Sequence, residues 1–197
     1  MSECCNCQPK KMTDPGEILR KRRIVNVTGE FTEDMAEMVC DSLLVLEHDS
    51  SEKDILLVIE SFGGSVLSCL RIIDQIKMLT CPVSTLVMGK AMSCGSILAV
   101  CGAPGKRFMG AHSVQLIHSL SSGVSGTVAD MENDVKESKR LQEVLEGIYK
   151  KHTKLTAKQM KELMAKDSYI TAADCVKWGM ADAIVSDHKS LWGKLAI

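Results

Sequence analysis

Apolar and polar positions along the chain follow two alternating patterns. Short continuous apolar runs predict strands buried on both faces, whereas apolar residues recurring every three or four positions predict helices with one buried face. The runs predict strands at 24–27, 54–59, 83–88, 107–109, 113–117 and 181–185. The recurrences predict helices at 32–47, 66–79, 93–100, 127–152, 156–164 and 171–179. This repeated strand–helix order predicts an α/β fold on a mostly parallel sheet with right-handed crossovers.

Several segments fall outside this regular order. Residues 1–15 are polar and contain two prolines, which predicts a mobile N-terminal arm ahead of one domain at 16–186 and a tail at 187–197. The basic run at 20–23 is expected to lie on a solvated face. Residues 119–126 are rich in Ser and Gly and predict a flexible strand or hairpin. The long amphipathic helix that follows suits either assembly or ordinary core packing.

Composition narrows the class of protein. Of 197 residues, 45% are hydrophobic and only 4% are aromatic, so the chain can bury a sizeable core that is mainly aliphatic. The net charge of −1 argues against binding to nucleic acid or to an anionic membrane surface. Because we find no long apolar run and no apolar signal at the N-terminus, we expect a cytoplasmic protein.

The nine cysteines are too scattered, and odd in number, for a disulfide framework. Six of them occupy apolar positions and are expected to be buried, reduced thiols: Cys40, Cys69, Cys81, Cys94, Cys101 and Cys175. The cluster of Cys4, Cys5 and Cys7 could bind a metal, but no second ligand pair follows at zinc-site spacing. We therefore favour a mobile tail there and expect neither a metal nor a cofactor.

Candidate chemistry centres on the stretch from Gly89 to Ser96, where a predicted strand turns sharply into a helix with Ser93 at the bend. Small neighbours let such a turn adopt strained angles and let a substrate backbone approach. A hydroxyl at a helix N-terminus also lies beside unpaired N–H groups and the positive end of the dipole. These are conditions for a nucleophile, although a Ser/Gly-rich helix cap is an equally good interpretation of this stretch alone.

A serine nucleophile needs a base, a group that orients the base, and an oxyanion hole. Five histidines are candidates for the base: His48, His112, His118, His152 and His188. The pattern favours His118, which ends an apolar strand, although a structural histidine is the commoner case. Sequence alone cannot choose the orienting carboxylate. The turn at Gly63-Gly64 could offer a backbone N–H to an oxyanion or could simply be a tight turn.

Taken together, these motifs resemble the Clp peptidase family, the proteolytic subunit of ATP-dependent Clp protease, and the resemblance runs from about residue 24 to residue 185. The matching motifs are Ser61-Phe62-Gly63-Gly64-Ser65-Val66, Gly89 to Gly95, Gly105-Lys106-Arg107-Phe108, Leu116-Ile117-His118, Lys166-Asp167-Ser168-Tyr169, Thr171-Ala172-Ala173-Asp174 and Trp178-Gly179-Met180-Ala181-Asp182. The resemblance implies the crotonase-like Clp-peptidase fold, with a protruding "handle" at about 119–152.

By position, the resemblance implies that Ser93 is the nucleophile, His118 the general base and Asp167 its orienting partner. It implies that the backbone N–H groups of Gly64 and Cys94 form the oxyanion hole. The implied reaction is peptide-bond hydrolysis through an acyl-enzyme without a metal. The implied assembly is two stacked heptameric rings, a tetradecamer, into which an AAA+ Clp unfoldase that consumes ATP feeds unfolded polypeptides.

Some residues depart from the family pattern. Phe62 stands where the family has Pro, which is expected to loosen the turn and to reshape the substrate groove. Leu56 and Val58 replace two tyrosines of the unfoldase-docking pocket, so docking is expected to be weaker or directed to another partner. Ala165-Lys166 precedes Asp167 where many members have an acidic or polar residue and then Arg, and Lys cannot reproduce a bidentate Arg contact between rings.

Two other functions are alternatives to an active peptidase. One is a low-activity structural or regulatory subunit of a mixed Clp ring, which the complete set of Ser93, His118 and Asp167 argues against. The other is an acyl-CoA enzyme of the related crotonase fold, which shares glycine-rich oxyanion turns but does not need these three residues.

Overall fold

A computed structural model describes residues 14–197, so most of the predicted arm and the cluster of Cys4, Cys5 and Cys7 lie outside the described residues. The described strands are β1 (Ile24–Phe31), β2 (Ile55–Gly64), β3 (Val83–Met92), β4 (Arg107–Gly110), β5 (Val114–Ile117), β6 (Ser168–Thr171) and β7 (Ala183–Val185). The described helices are α1 (Pro15–Lys21), α2 (Glu33–Asp49), α3 (Val66–Met78), α4 (Cys94–Val100), α5 (Val128–His152), α6 (Ala157–Met164), α7 (Ala172–Lys177) and α8 (His188–Trp192).

The strands form one mostly parallel sheet, as the sequence predicts. Its main path is β1-β2-β3-β4-β7, and every pair along it is parallel. The sheet forks at β3, because 85–87 pair with β4 whereas 90–92 pair with β5. Strand β6 then joins β5 in the only antiparallel pairing among the described strands. The fork therefore places β5 and β6 beside the C-terminal end of β3.

The main core lies between the sheet and helices α2, α3 and α4. Its two largest fully buried side chains are Tyr149 and Phe31, and most of the other large ones are aliphatic, including Leu43, Leu57, Ile72, Ile73 and Leu98. Burying each such side chain stabilises the fold by about 1.5–3 kcal/mol, which explains why α4 can be buried along its whole length. The six cysteines predicted to be buried, reduced thiols are all buried and free, which confirms that prediction.

A second apolar cluster covers the other face of the sheet. Strand residues Leu56, Leu86 and Phe108 lie beneath the C-terminal segment, which contributes Leu191 and Trp192 from α8. The backbone of Ala196 accepts a hydrogen bond from Asp54 N at 2.8 Å and donates one to Asp54 Oδ2 at 3.1 Å. The predicted polar tail therefore contains a helix and is fastened beside the start of β2 through both backbone groups of one residue.

Helix α5 begins at a capping box in which Thr127 and Asp130 satisfy each other's backbone N–H groups. Its buried side chains, Leu145, Ile148 and Tyr149, all lie in its last two turns. The first half projects from the body, leaving Val128 69% and Val135 43% exposed. Residues 119–126, predicted to be a strand or hairpin, have no regular secondary structure. No helix within residues 14–197 is both long and apolar enough to cross a bilayer.

The prediction that the basic run 20–23 lies on a solvated face is wrong for Arg23, which is 5% exposed. Its guanidinium donates hydrogen bonds to the carbonyls of Leu46 and Ser50 at the end of α2, and to those of Lys53 and Asp54. The last carbonyls of a helix have no partner within that helix, so they bind this cation and hold it in the interior.

Candidate active site

Ser93 lies at the bend between β3 and α4, where the sequence predicts it. Its backbone angles are φ 53° and ψ −121°, a conformation that residues other than glycine rarely adopt. The strained bend is held by the Ser93 N–H, which donates to the carbonyl oxygen of Leu116 on β5 at 2.9 Å. Strain of this kind is tolerated where the surrounding structure fixes it, and it is concentrated at functional sites.

The register of the strands brings His118 and Asp167, the other two predicted site residues, to the end of β3 beside Ser93. Met92 pairs with Leu116 across β3 and β5, and Ile117 pairs with Ser168 across β5 and β6. The next positions along these strands are Ser93, His118 and Asp167, so three residues distant in sequence meet at adjoining strand ends. His118 Nδ1 lies 3.7 Å from Asp167 Oδ1.

The side chains of these three residues are not fully engaged with one another. Within residues 14–197 no hydrogen bond joins Ser93 Oγ to His118, and 3.7 Å exceeds the usual hydrogen-bond length between His118 and Asp167. The Asp167 side chain is 69% exposed, against 29% for that of His118. Catalytic hydrogen bonds are often long in an unliganded site and tighten when substrate binds.

The four other histidines considered as bases lie elsewhere in the fold. His48 lies near the end of α2, His152 ends α5, and His188 begins α8, where it stacks on Trp192. His112 lies in the turn ahead of β5. Of the five candidates, only His118 therefore directly follows β5, the strand that pairs with the end of β3.

The glycine turn at the end of β2 lies directly against the serine. Gly63 has φ +107°, and a Cβ atom there would lie 2.7 Å from Ser93 Cβ and 3.3 Å from Ser93 Oγ. Gly64 has φ +142°, and its Cβ would meet the backbone of Phe31 at 2.7 Å. Both positions therefore require glycine, which lets the backbone of this turn approach the place where a substrate carbonyl would lie.

Two thiols connect this turn to the segment after Ser93. Cys94 Sγ lies 3.3 Å from the carbonyl oxygen of Gly64, and Cys69 Sγ lies 3.4 Å from the carbonyl oxygen of Cys94. Hydrogen bonding with Cys69 lowers the pKa of Cys94, whereas the same pairing together with burial raises the pKa of Cys69. The sequence predicts Cys69 as a buried thiol, but nothing in its pattern predicts the contact with Cys94.

Phe62 precedes the glycines, and its side chain is exposed. Lys90 Nζ lies 4.0 Å from the centre of the Phe62 ring and forms an ion pair with Glu60. A cation over an aromatic face is attracted to the ring. The turn expected to be loosened by the loss of a proline is therefore contacted by a neighbouring lysine, while the Phe62 side chain remains 70% exposed.

A cavity of about 960 Å³ lies between α5 and α6. Its wall includes Ser119 and Ala165, which lie one and two residues along the chain from His118 and Asp167. Apolar side chains from Leu155, Met160 and Met164 line its interior, and Glu143 and Lys161 are among its charged lining residues. A cavity of this kind can accept apolar side chains of an extended peptide.

The described residues contain no group of three or more His, Cys, Asp and Glu side chains placed to hold a metal ion. The site offers instead a strained hydroxyl, an imidazole, a carboxylate and a glycine turn beside a helix N-terminus. These are the parts that acyl transfer to an alcohol requires.

The comparison with protein families agrees with this geometry. The family described as Clp protease matches residues 8–188 of the 197-residue chain. The match spans every strand of the sheet and all three of Ser93, His118 and Asp167. The chain belongs to the Clp protease family, whose members act as peptidases.

Proposed function

We propose that the chain is a serine endopeptidase that hydrolyses unfolded polypeptides through an acyl-enzyme. The observation that supports this most strongly is the register of β3, β5 and β6, which brings Ser93, His118 and Asp167 to adjoining strand ends. The Asp167 side chain is largely exposed, and its partner among the described salt bridges is His118, which suits a role in orienting the imidazole.

In the proposed mechanism His118 accepts the hydroxyl proton as Ser93 Oγ attacks the peptide carbonyl. Asp167 holds the imidazole in the correct tautomer and stabilises its charged form. The backbone N–H groups of Gly64 and Cys94 stabilise the oxyanion, and losing one such donor costs about 3 kcal/mol of transition-state stabilisation. His118 then protonates the leaving amine. Water next takes the place of the amine: it gives a proton to His118 and attacks the acyl carbon, which releases the carboxylic acid and restores the Ser93 hydroxyl. No metal or cofactor takes part.

We propose that the chain works inside a closed chamber of two heptameric rings. The projecting half of α5 supports this, because Val128 and Val135 are uncovered in one chain and a second chain would bury them. Fourteen chains of 21.5 kDa have a mass of about 301 kDa. Native mass spectrometry should give this value, and half of it for a single ring.

An AAA+ unfoldase is the proposed partner, and it would consume the ATP. Leu56 and Val58, which by resemblance belong to the docking pocket, lie beneath the C-terminal segment of this chain. A docking loop would therefore meet α8 and the residues that follow it before it met the sheet. This supports a partner adapted to this chain, and the cytoplasm is the proposed site of action.

A low-activity subunit of a mixed ring is the second candidate. The 3.7 Å separation of His118 and Asp167 is compatible with it, because a chain that needs a partner subunit for alignment would also have a loose pair. Mixing with a co-purified second peptidase subunit distinguishes the two. Hydrolysis by this chain alone supports the active enzyme, whereas activity that survives Ser93→Ala in the mixture supports the second candidate.

Labelling with a fluorophosphonate tests the proposed function. This reagent forms a covalent bond with an activated serine and not with ordinary serines. We expect stoichiometric labelling of the assembled protein and none after Ser93→Ala. Ser51→Ala is the matched control, because Ser51 is an exposed loop serine far from the bend in sequence, and it should label normally. An assembled wild-type protein that resists labelling would contradict the proposal.

A further inference from the structure

Three polar side chains form a row inside the aliphatic core, directly behind the candidate active site. Tyr149, Ser96 and Gln115 are each at most 1% exposed. The Tyr149 hydroxyl donates to Ser96 Oγ at 2.9 Å, and Ser96 Oγ donates to Gln115 Oε1 at 2.8 Å. Gln115 Nε2 lies 3.5 Å from Met109 Sδ. We call Tyr149, Ser96 and Gln115 the buried relay.

The relay joins three elements that matter to the candidate site. Ser96 lies in the first turn of α4, three residues after Ser93. Gln115 lies on β5, three residues before His118. Tyr149 is one of the few buried side chains of α5, the helix whose first half projects from the body. The relay therefore fixes the nucleophile's helix against the strand that leads to the base, with α5 as the third anchor.

Its polarity is not explained by packing alone. Burying a hydroxyl or an amide in an apolar core is unfavourable unless it is hydrogen-bonded, and apolar side chains of similar shape would fill the same space without this cost. A fully satisfied buried network instead selects one relative arrangement of the elements that carry it. Burial also raises the pKa of Tyr149, so its hydroxyl stays neutral and remains a donor.

We propose that Tyr149, Ser96 and Gln115 are positioning residues that set the spacing between Ser93 and His118 and tie it to the placement of α5. The proposal rests on the proposed function, since it assigns these residues a role in the same reaction. None of the three touches a substrate. They act through the backbones of α4 and β5, and a displacement of the reacting groups by about 1 Å can cost about a hundredfold in rate.

The first test is Tyr149→Phe, which removes one oxygen and leaves the Ser96–Gln115 bond in place. With a fluorogenic peptide we expect kcat to fall about tenfold while KM stays within about twofold, because alignment and not binding is lost. The rate of fluorophosphonate labelling should fall by the same factor. Tyr169→Phe is the matched control, because Tyr169 is the only other tyrosine and is 67% exposed. Its kcat should equal that of the wild type.

A second variant separates positioning from stability. Tyr149→Phe/Ser96→Ala/Gln115→Met replaces the whole relay by apolar groups and leaves none of its polar atoms unpaired. We expect its Tm to lie within a few degrees of the wild-type value, whereas its kcat should remain about tenfold below that of the wild type. A triple variant with wild-type kcat would overturn the proposal, even if kcat is low in Tyr149→Phe alone. Wild-type protein that never labels would instead reject the proposed function, and the relay's role with it.

Discussion

The candidate active site and the layer of side chains behind it are held together by different means. At the surface, His118 and Asp167 approach only to 3.7 Å, and the Asp167 side chain is 69% exposed. One layer deeper, the buried relay of Tyr149, Ser96 and Gln115 is joined by hydrogen bonds of 2.8 and 2.9 Å. The fold thus fixes the backbones of the three proposed catalytic residues more firmly than it fixes their side chains.

This difference indicates where a substitution should affect chemistry and where it should affect folding. The side chains of Ser93, His118 and Asp167, which we call the crevice, contribute little to stability, because they are partly or largely exposed and form few hydrogen bonds. Buried side chains behind the site contribute mainly to stability, and they affect the reaction rate only by positioning the backbones of the site residues. Each of the following substitutions tests one side of this contrast.

The largest effect is expected for Asp167→Asn. An amide cannot hold the imidazole of His118 in the same tautomer or stabilise its positive charge, so kcat should fall about 10³- to 10⁴-fold. Thermal unfolding should be unchanged, because the carboxylate is exposed. Hydrolysis of a fluorogenic peptide measures the rate, with the exposed Asp49→Asn as control. A loss below tenfold would mean that Asp167 does not engage His118 during turnover.

Gly63→Ala should come next, with a loss of about a hundredfold in kcat. The added methyl group would lie 2.7 Å from Ser93 Cβ on a residue at φ +107°, so the turn must move away from the serine. Gly123→Ala is the matched control, because a Cβ there meets nothing within 4 Å. The two variants are compared by steady-state kinetics. Equal activities would show that the turn does not border the reacting atoms.

Asp182→Asn should act on stability, since Asp182 pairs with Arg107 at the base of β4. Burial opposes its ionisation, but hydrogen bonds from Arg107 and its charge lower the pKa of Asp182 overall. A carboxyl with a lowered folded-state pKa stabilises the fold above its unfolded pKa of about 3.9 and loses this contribution as the pH falls through the folded value.

The Asn variant should therefore lose about 2 kcal/mol of unfolding free energy at pH 7. The difference in unfolding free energy between the wild type and the variant should become smaller below about pH 4. Urea denaturation at pH 7 and pH 3 measures both values. A gap of the same size at the two pH values would argue that the charge of Asp182 is irrelevant.

The smallest effect is expected at the fastening of the C-terminal segment. Ala196→Pro removes the N–H that donates to Asp54 Oδ2, which should cost about 1 kcal/mol in unfolding free energy. Ala196→Ser keeps this donor and is the control. Fluorophosphonate labelling should be equal in both variants, because this contact lies outside the crevice and the relay. A slower reaction in the proline variant would show that the two faces of the sheet are coupled.

Much of the fold could be predicted because its core strands are continuous apolar runs. β2, β3 and β5 follow directly from the sequence, and so does the bend at Ser93, since small residues cluster there. β6 could not be predicted, because it is four residues long and forms only by pairing with β5. The apolar pattern predicts no strand between 164 and 171, although β6 is what sets Asp167 opposite His118.

Interactions between segments that are distant in sequence also could not be predicted. Arg23 appears in the sequence as one more residue of a basic run, and only the carbonyls at the end of α2 explain its burial. The relay is equally hidden, because Ser96, Gln115 and Tyr149 each occupy a position where an apolar residue would fit the pattern. A polar residue at an apolar position is the signal that could have drawn attention to them.

The most direct measurement is the reaction with a peptidyl chloromethyl ketone, an inhibitor that bonds to a serine nucleophile through its carbonyl carbon and alkylates the neighbouring histidine through its methylene. Mass spectrometry of the digested protein should show the inhibitor attached to His118, because its methylene displaces chloride irreversibly while the bond to the serine oxygen reverts on denaturation. Ser93→Ala should abolish this alkylation, since the serine holds the inhibitor beside the imidazole. An active enzyme that is inhibited by alkylation of any other residue would contradict the proposed site.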